Sequence, residues 1–235
     1  RLVYEIALAG GSRSLEGGFI CYLFPYDKNT SPVESLFYWK YVDKLADWYY
    51  KKYDVIINRE YFGPLTCCLV EPSIPICINI VQAILSAKSG VKCISVGLAE
   101  QGNRSQDIAA LRVLDKMTRQ YLAKYGFADC TISTVFHQYM AAFPSDREKA
   151  RDLIMNASIT GVLAGASRIM TKTPVESIHI PAKEDNAEGL QCTHTGLLKA
   201  ADEKINQSRV KREMTLLERQ VSTLMKAIED EKKNN

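Results

Sequence analysis

Four short runs of β-forming residues recur along the chain at nearly constant spacing. Each run is rich in Ile, Val, Cys and Thr and is followed by polar residues, as in buried parallel strands; the runs cover residues 55–58, 92–97, 130–137 and 167–172. They begin 37 or 38 residues apart, and a helical pattern fills each interval. A strand and helix repeated at this period predict a parallel α/β fold, and a (β/α) barrel explains the regularity best.

Helix boundaries can be located from capping signals. Ser31 opens the sequence S-P-V-E, a capping box with proline at the first helical position, and Ser145 opens a second capping box, S-D-R-E. Pro75 is expected to begin a third helix, which Gly90 ends, and a fourth is expected over about residues 104–125. Each of these helices is predicted to be an amphipathic crossover between parallel strands.

An earlier strand is predicted over residues 16–23, where two glycines precede β-forming residues. This makes about five strands, whereas a closed barrel needs eight, so we expect roughly three βα units outside this sequence. Arg1 in place of a starting Met favours the same view. The predicted α/β fold is therefore a partial (β/α)8 TIM barrel over residues 1–200, with a C-terminal helical segment of the same domain over residues 201–235.

The C-terminal segment has a helical pattern of its own. Apolar residues recur in it at heptad-like spacing, namely Met214, Leu217, Val221, Leu224 and Ile228. The spacing fits either an outer helix packed on the barrel or a short coiled coil. Coiled coils need three or four sustained heptads with paired charges beside the seam, and this favours the outer helix.

Composition and charge argue against several classes of function. The chain has 30 Lys and Arg against 27 Asp and Glu, a net charge of +3, and these charges are interspersed. Nucleic acid is therefore not an expected partner, since no basic stripe is present to contact its phosphates. No segment approaches the roughly 20 apolar residues of a membrane span, and no signal peptide is visible. Seven cysteines without a C-x-x-C pair are typical of a reducing cytoplasm.

Metal and nucleophile signatures are also missing from the sequence. His137, His179 and His194 have no paired ligand spacing, so no protein-bound metal is expected. There is no G-x-S-x-G motif, and the pair Cys67-Cys68 has no local base, which argues against a hydrolase.

The polar residues that follow the predicted strands are candidates for the site, because barrel active sites lie where strands end and loops begin. In chain order they are Asn58, Arg59, Glu60, Glu100, Gln101, Asn103, His137, Gln138, Lys172, Thr173 and Glu176. Such a rim suits a small zwitterion or anion, because carboxylates need donors and ammonium groups need acceptors. Two alternatives stay open: Arg59 and Glu60 either bind a ligand or form ion pairs, and His137 is either catalytic or a hydrogen-bonded buried imidazole.

These loop residues and their neighbours resemble one known family. The matching stretches are Glu16-Gly17-Gly18, Tyr22, Pro25-Tyr26, Asn58-Arg59-Glu60, Phe62-Gly63-Pro64-Leu65-Thr66, Gly102-Asn103, 106–112, 134–138, Phe143-Pro144 and Lys172-Thr173-Pro174. Together they resemble the large (epsilon) subunit of methylaspartate mutase, or glutamate mutase, over almost the whole chain. The resemblance implies a TIM barrel that uses adenosylcobalamin for a radical carbon-skeleton isomerisation of L-glutamate to threo-3-methylaspartate.

The resemblance also implies which residues bind the substrate. Glu16 would accept the substrate ammonium and serve as a catalytic base, and Tyr22 and Tyr26 would hydrogen-bond its carboxylates. The alternative for both tyrosines is a purely structural role, in which the ring packs at the rim and the hydroxyl is solvated. Phe19 stands where a third glycine is expected, so it is expected to narrow the pocket, and Cys67-Cys68 replaces an expected Gly-Thr. A sibling mutase acting on another small acid is therefore an alternative.

Cofactor-binding residues are implied in the same way. Lys172 and Glu176 would hold the adenosyl ribose, while Pro25, Phe62 and Met140 would lie beside the adenosyl group or the substrate. The i, i+4 spacing of Lys172 and Glu176 equally permits a simple salt bridge, and Phe62 and Met140 would fit a hydrophobic core.

The resemblance finally implies a partner. The chain has no D-x-H-x-x-G motif for a cobalt-ligating histidine, so the cofactor would be shared with a small (sigma) cobalamin-binding subunit in a hetero-oligomer. The arginines that bind the substrate carboxylates would lie mostly on earlier strands, outside this sequence. Because the chain lacks them, a non-catalytic barrel that only binds a partner protein is the alternative from another class of function. One geometric prediction follows: a single mouth should hold Glu16, Tyr26, Phe62, Glu100, Met140, Lys172 and Glu176.

Overall fold

The computed structural model describes residues 2–23, 29–63, 67–68 and 70–234. In chain order the elements are α1 (Leu2–Ala9), β1 (Ser14–Glu16), α2 (Phe19–Leu23), α3 (Pro32–Tyr53), β2 (Asn58–Phe62), α4 (Ser73–Lys88), β3 (Cys93–Ala99), α5 (Arg104–Lys124), β4 (Thr131–His137), α6 (Arg147–Ala164), β5 (Arg168–Met170), α7 (Lys183–Lys199) and α8 (Gln207–Asn234). The predicted alternation of strands and helices is confirmed.

The five strands form one parallel sheet in the order β1-β2-β3-β4-β5. Each strand therefore pairs with its neighbours in sequence, as in a barrel wall. The register places Phe62 beside Gly97, Ala99 beside His137, and His137 beside Met170. Within the described part of the chain, β1 and β5 are the edge strands and each pairs along one side only, as the prediction of an unclosed barrel requires.

An ion pair across the concave face shows that the sheet is curled. Arg168 on β5 donates to the carboxylate of Glu60 on β2, although two strands lie between them. In a flat sheet the axes of these strands would be about 14 Å apart, because neighbouring strands are about 4.8 Å apart. The structure is thus a curled five-stranded parallel half-barrel with helices on its convex side.

The amino-acid composition of the central strands accounts for their position in the sheet. Along β3, Ile94, Val96 and Leu98 are buried on the convex face under α4 and α5. The alternate positions Ser95 and Gly97 point to the concave face, since successive side chains of a strand face opposite sides. A strand covered on both faces carries few charges, which is why β3 and β4 were found from sequence within a few residues.

Two predicted strand positions are wrong. The run 55–58 overlaps β2 only at Asn58, because the strand continues through Arg59 and Glu60, whose buried charges are paired. The predicted strand 16–23 shares only Glu16 with β1, since the chain turns at Gly17, where φ is +108°, and then forms the short helix α2. Hydrophobic pattern alone missed both, because neither strand is predominantly apolar.

The start of one helix is predicted correctly, and the starts of two others are displaced by one or two residues. Ser31 caps α3 reciprocally with Glu34, as predicted. The cap of α6 is Asp146 rather than Ser145, and its carboxylate accepts the backbone N–H of Lys149 at 2.9 Å. The prediction that Pro75 begins α4 is also wrong, because the helix starts two residues earlier, at Ser73.

The last two helices lie outside the sheet. Helix α7 had not been predicted, and its buried positions are polar or small, for example Asp185, Gly189 and Thr193, so it lacks an apolar stripe. Helix α8 packs on α4 and α5, as the outer-helix interpretation predicts. No helix in the described ranges combines the length and apolar character required to cross a bilayer.

Candidate functional site

The carboxyl ends of the strands gather the predicted site residues at one mouth of the half-barrel. Glu16 and Phe62 end β1 and β2, and Lys172 lies two residues beyond β5. All the strands are parallel, so Glu16 and Lys172 lie at the same end of the sheet, as predicted. Glu100 and Met140 follow β3 and β4 at this end. Of the remaining predicted site residues, Pro25 and Tyr26 lie outside the described residues, and Glu176 is the ion-pair partner of Lys172.

Glu16 is held in place by two tyrosines. The Tyr22 hydroxyl donates to Glu16 Oε1 at 2.8 Å, and the Tyr4 hydroxyl donates to the Glu16 main-chain oxygen at 2.7 Å. Burial raises the pKa of Tyr22, and the hydrogen bond to Glu16 raises it further, so Tyr22 remains a donor. Its ring also meets that of Phe62 edge-on, with centroids 5.9 Å apart. Tyr22 therefore connects the carboxylate of Glu16 to the apolar end of β2.

Two glycines let α2 fold over the end of the sheet. A Cβ on Gly18 would lie 2.7 Å from the Gln82 side chain and 2.8 Å from that of Tyr61. Gly17 adopts a positive φ that side chains disfavour. Phe19 lines a cleft of about 310 Å³ between α3 and α4, on the convex side of the sheet. The expectation that Phe19 narrows the pocket at the mouth is therefore wrong.

Arg59 and Glu60 are both buried, and each forms an ion pair rather than presenting a free charge at the rim. Arg59 is fully buried and donates to Asp43 Oδ1 and to the main-chain oxygens of Leu15 and Gly17, each at 2.7 Å. Glu60 faces the concave side and pairs with Arg168. The two residues lie on opposite faces of β2 and do not pair with each other. Arg59 thus positions the end of β1, which carries Glu16.

His137 lies beneath the mouth as a neutral imidazole. It is 3% exposed, and its ring centroid is 4.8 Å from that of Phe62. Burial lowers the pKa of His137 to about 4, and the charge of Lys172 acts in the same direction. Its Nε2 has no hydrogen-bond partner among the described residues, so the alternative of a fully satisfied buried imidazole is not what the structure shows.

Lys172 and Glu176 form an ion pair next to His137. The loop that carries Lys172 is anchored to the end of β4, because the backbone N–H of Lys172 donates to Gln138 Oε1 at 2.6 Å. Gln138 is itself buried and donates to Thr193 Oγ1 at 3.0 Å. The side chains of Lys172 and Glu176 remain partly exposed, so both can reach a ligand in the mouth.

Several buried polar atoms at this mouth and on the concave face have no partner in the described part of the chain. They are Glu60 Oε1, Glu100 Oε2, His137 Nε2 and Thr173 Oγ1. An unpaired buried polar atom costs about 1–3 kcal/mol, so native proteins rarely leave several together. The concentration indicates that a polar ligand or further protein completes this end of the sheet. No trio of His, Cys, Asp or Glu in the described ranges is arranged to hold a metal ion.

Sequence reasoning missed two features of this site. The inward orientation of Glu60 follows from strand alternation once β2 is placed at Asn58–Phe62, but the predicted strand ended too early to show it. The role of Arg168 had no local signal, because its partner is more than 100 residues away in sequence and meets it only when the sheet curls.

Comparison with known proteins agrees with this geometry. The family model for the methylaspartate mutase E chain matches residues 1–233. The glutamate mutase epsilon subunit of Treponema denticola is 42% identical over 226 residues, covering 96% of this chain and 46% of that protein. The corresponding subunits of Desulfitobacterium hafniense and Halobacterium salinarum are 40% and 39% identical, covering 98% and 97% of this chain and 47% of each relative.

The chain thus spans about half the length of the curated relatives it matches. The resemblance inferred from the loop residues is confirmed by a family match that runs through every strand of the half-barrel. This chain belongs to the methylaspartate mutase E chain family.

Proposed function

We propose that this chain forms part of the catalytic barrel of a glutamate mutase epsilon subunit, an isomerase that interconverts L-glutamate and threo-3-methylaspartate by a radical carbon-skeleton rearrangement. The observation that carries the proposal is the family match across the chain combined with the unpartnered polar atoms at the carboxyl ends of the strands. In barrel enzymes, this is the end at which substrates bind.

The rest of the barrel completes the fold in this proposal. Among the described residues, β1 and β5 each have a strand partner along one side only, and unpaired strand edges are normally covered in native proteins. Roughly three further βα units would close an eight-stranded TIM barrel. Residues 1–200 and 201–235 would then belong to one catalytic domain, which the packing of α8 on α4 and α5 supports.

Glu16 is the proposed base and acceptor for the substrate ammonium. Its Oε1 already accepts from Tyr22, and this fixes the carboxylate while leaving the side chain exposed toward the mouth. Tyr22, and Tyr26 beyond the described residues, would donate to the substrate carboxylates. A carboxylate beside hydroxyl donors matches a zwitterion with one ammonium and two carboxylates. L-Glutamate has this pattern.

The residues of the mouth fit the adenosyl part of adenosylcobalamin. Lys172 and Glu176 place a cationic donor beside a carboxylate acceptor, a pair that suits ribose hydroxyls. Phe62 is buried in the core at the end of β2, and Met140 packs partly buried against that core; both would form apolar walls for the adenosyl group, with Pro25 assigned to the same group. When bound, the cofactor supplies the radical that abstracts a substrate hydrogen. The residues of this chain orient the substrate and exclude water from the radical.

A second subunit is part of the proposal. The described residues provide no arrangement of side chains for a metal, and the sequence has no D-x-H-x-x-G motif. A small (sigma) cobalamin-binding subunit would therefore bring the cobalt to the mouth, in a cytoplasmic hetero-oligomer.

The test is turnover of L-glutamate by the full-length protein with the small subunit and adenosylcobalamin. Glu16→Gln removes the proposed base and should lower kcat at least a hundredfold, within the range of general base catalysis. Lys172→Met should weaken coenzyme binding at least tenfold, whereas Lys183→Met, at an exposed lysine, should match the wild type. Turnover of a different acid but not of glutamate would assign a sibling mutase, and no turnover of any acid would favour the non-catalytic barrel.

A further inference from the structure

Gln138 joins the end of β4 to the loop that carries Lys172. It is the first residue after β4 and is 1% exposed. Its backbone N–H donates to the Met170 main-chain oxygen at 3.2 Å and so extends the pairing of β4 with β5 by one bond. Its side-chain Oε1 then accepts the backbone N–H of Lys172 at 2.6 Å. A side-chain oxygen thus takes the place that a main-chain oxygen has in a regular parallel ladder.

The opposite end of the Gln138 amide is fixed by two helices. Its Nε2 donates to Ser158 Oγ on α6 at 2.9 Å and to Thr193 Oγ1 on α7 at 3.0 Å, and the Ile154 main-chain oxygen lies 3.2 Å away. The two hydrogens of the amide are therefore both used. A flipped amide would set its NH2 group against the Lys172 N–H, two donors facing each other. The partners thus leave one orientation, with Oε1 toward Lys172.

Helix α7 also limits the position of the Lys172 main chain directly. A Cβ on the buried Gly189 would lie 2.4 Å from the Lys172 main-chain oxygen. The loop can pass this face of α7 only because position 189 has no side chain. The main chain at Lys172 is therefore held on one side by the Gln138 amide and on the other by α7.

The main-chain position of Lys172 decides where its ammonium group lies. The side chain of Lys172 is 19% exposed and pairs with Glu176, and the backbone N–H of Glu176 donates to the Thr173 oxygen at 3.2 Å in the same loop. Hydrogen bonds weaken steeply when donor and acceptor are misplaced. A displaced loop would therefore carry both charged groups away from a ligand in the mouth.

We infer that Gln138 is a positioning residue of the coenzyme site, whose side-chain amide holds the Lys172 main chain so that Lys172 and Glu176 meet the ribose of the adenosyl group. The inference rests on the proposed function, in which these two residues hold that ribose. A Gln138 with a purely structural role would stabilise the fold without favouring one form of cobalamin over another.

Binding of two cobalamins to the full-length protein with the small subunit separates these roles. Methylcobalamin has a methyl group in place of the adenosyl group, so it offers Lys172 no adenosyl ribose. Gln138→Met keeps the approximate volume and removes the amide. Its affinity for adenosylcobalamin should fall roughly fivefold, the effect of about one hydrogen bond, while its affinity for methylcobalamin should match that of the wild type.

Asn79→Leu is the matched control. Asn79 is a fully buried amide that accepts the backbone N–H of Gly97 at 3.3 Å and donates to the Pro75 oxygen at 2.8 Å. It therefore has the same kind of bonds as Gln138, but to α4 and β3 rather than to the Lys172 loop. Asn79→Leu should also destabilise the fold, yet the ratio of the two cobalamin affinities should stay unchanged.

Two further measurements keep the inference testable. Gly189→Ala pushes the Lys172 main chain from the side of α7 and should give the same selective loss of adenosylcobalamin affinity, even if Gln138→Met does not fold. Amide hydrogen exchange needs no cobalamin: exchange at the Lys172 amide should be roughly fivefold faster in Gln138→Met and unchanged in Asn79→Leu.

Equal losses of affinity for the two cobalamins in Gln138→Met and Gly189→Ala would overturn the positioning role, and so would unaltered exchange at Lys172 in Gln138→Met. Failure of the wild type to bind either cobalamin would instead contradict the proposed function. The exchange measurement would then still decide whether Gln138 holds the Lys172 main chain.

Discussion

Arg168 reaches the carboxylate of Glu60 across the concave face of the half-barrel. The arginine is on an edge strand and half exposed, whereas the glutamate is 3% exposed. The pair thus places the charge of Glu60 on the concave face of the sheet. Arg168 neutralises that charge from the edge strand β5, which the rest of the barrel would cover in the proposed fold. It fixes the curvature that brings the ends of β2 and β5 together.

Removing Arg168 should cost more than removing both members of the pair. Arg168→Met leaves Glu60 as an uncompensated buried charge, and because Arg168 is half exposed the cost should stay below the roughly 3–5 kcal/mol of a fully buried pair. Glu60→Gln together with Arg168→Met should recover part of this loss. Urea unfolding of the full-length variants would measure both free energies. Equal or additive losses in the single and double variants would contradict a buried pair.

Arg59 should not tolerate lysine. Its guanidinium donates to Asp43, Leu15 and Gly17 at the same time, and a single ammonium group cannot reproduce that planar arrangement. Arg59→Lys should destabilise the protein by about 2–4 kcal/mol, because buried acceptors lose their donors. Under the proposed function it should also lower affinity for glutamate, because the end of β1 positions Glu16. Arg209→Lys, at an exposed arginine, provides the control, measured by urea unfolding and glutamate titration.

The sequence predicted the parts of the fold that depend on repeated apolar burial. Strands β3 and β4 carry no Asp, Glu, Lys or Arg, and Ile94 and Phe136 are buried in them among other apolar residues and small Ser and Thr side chains. Strand β2 carries Arg59 and Glu60 in buried positions, and a charge is recognisable as buried only once its distant partner is known. At the site, the i, i+4 spacing allowed the salt bridge of Lys172 and Glu176 to be considered. The distant partners of Arg59 and Glu60 could not be named from the sequence.

The buried stripe of α8 gives a further case and a prediction. Leu217, Val221 and Met225 are buried, whereas Leu224 and Ile228 are 38% and 48% exposed, so the predicted heptad seam drifts off the contact as expected for a straight helix of 3.6 residues per turn. Leu217→Ala should therefore cost about 2–5 kcal/mol, and Leu224→Ala less than about 1 kcal/mol. Thermal or urea unfolding of the two variants would decide; equal losses would favour the heptad assignment.

His137 should make the protein less stable in mild acid. Burial lowers its pKa in the folded state to about 4, from an ordinary value of 6.5, so the unfolded chain binds a proton before the folded protein does. Stability contributed by the neutral ring is complete above pH 6.5 and is lost as the pH falls toward 4. Between pH 7 and pH 5 the loss should be about 2 kcal/mol.

Glu100 and Asp107, whose pKa values are raised, act in the opposite direction, so the wild type must be compared with His137→Gln at each pH. The difference in unfolding free energy should narrow by that amount on acidification, while His194→Gln, at an exposed histidine, should follow the wild type. Parallel pH profiles for the wild type and His137→Gln would show that this imidazole is protonated as readily in the folded protein as in the unfolded chain.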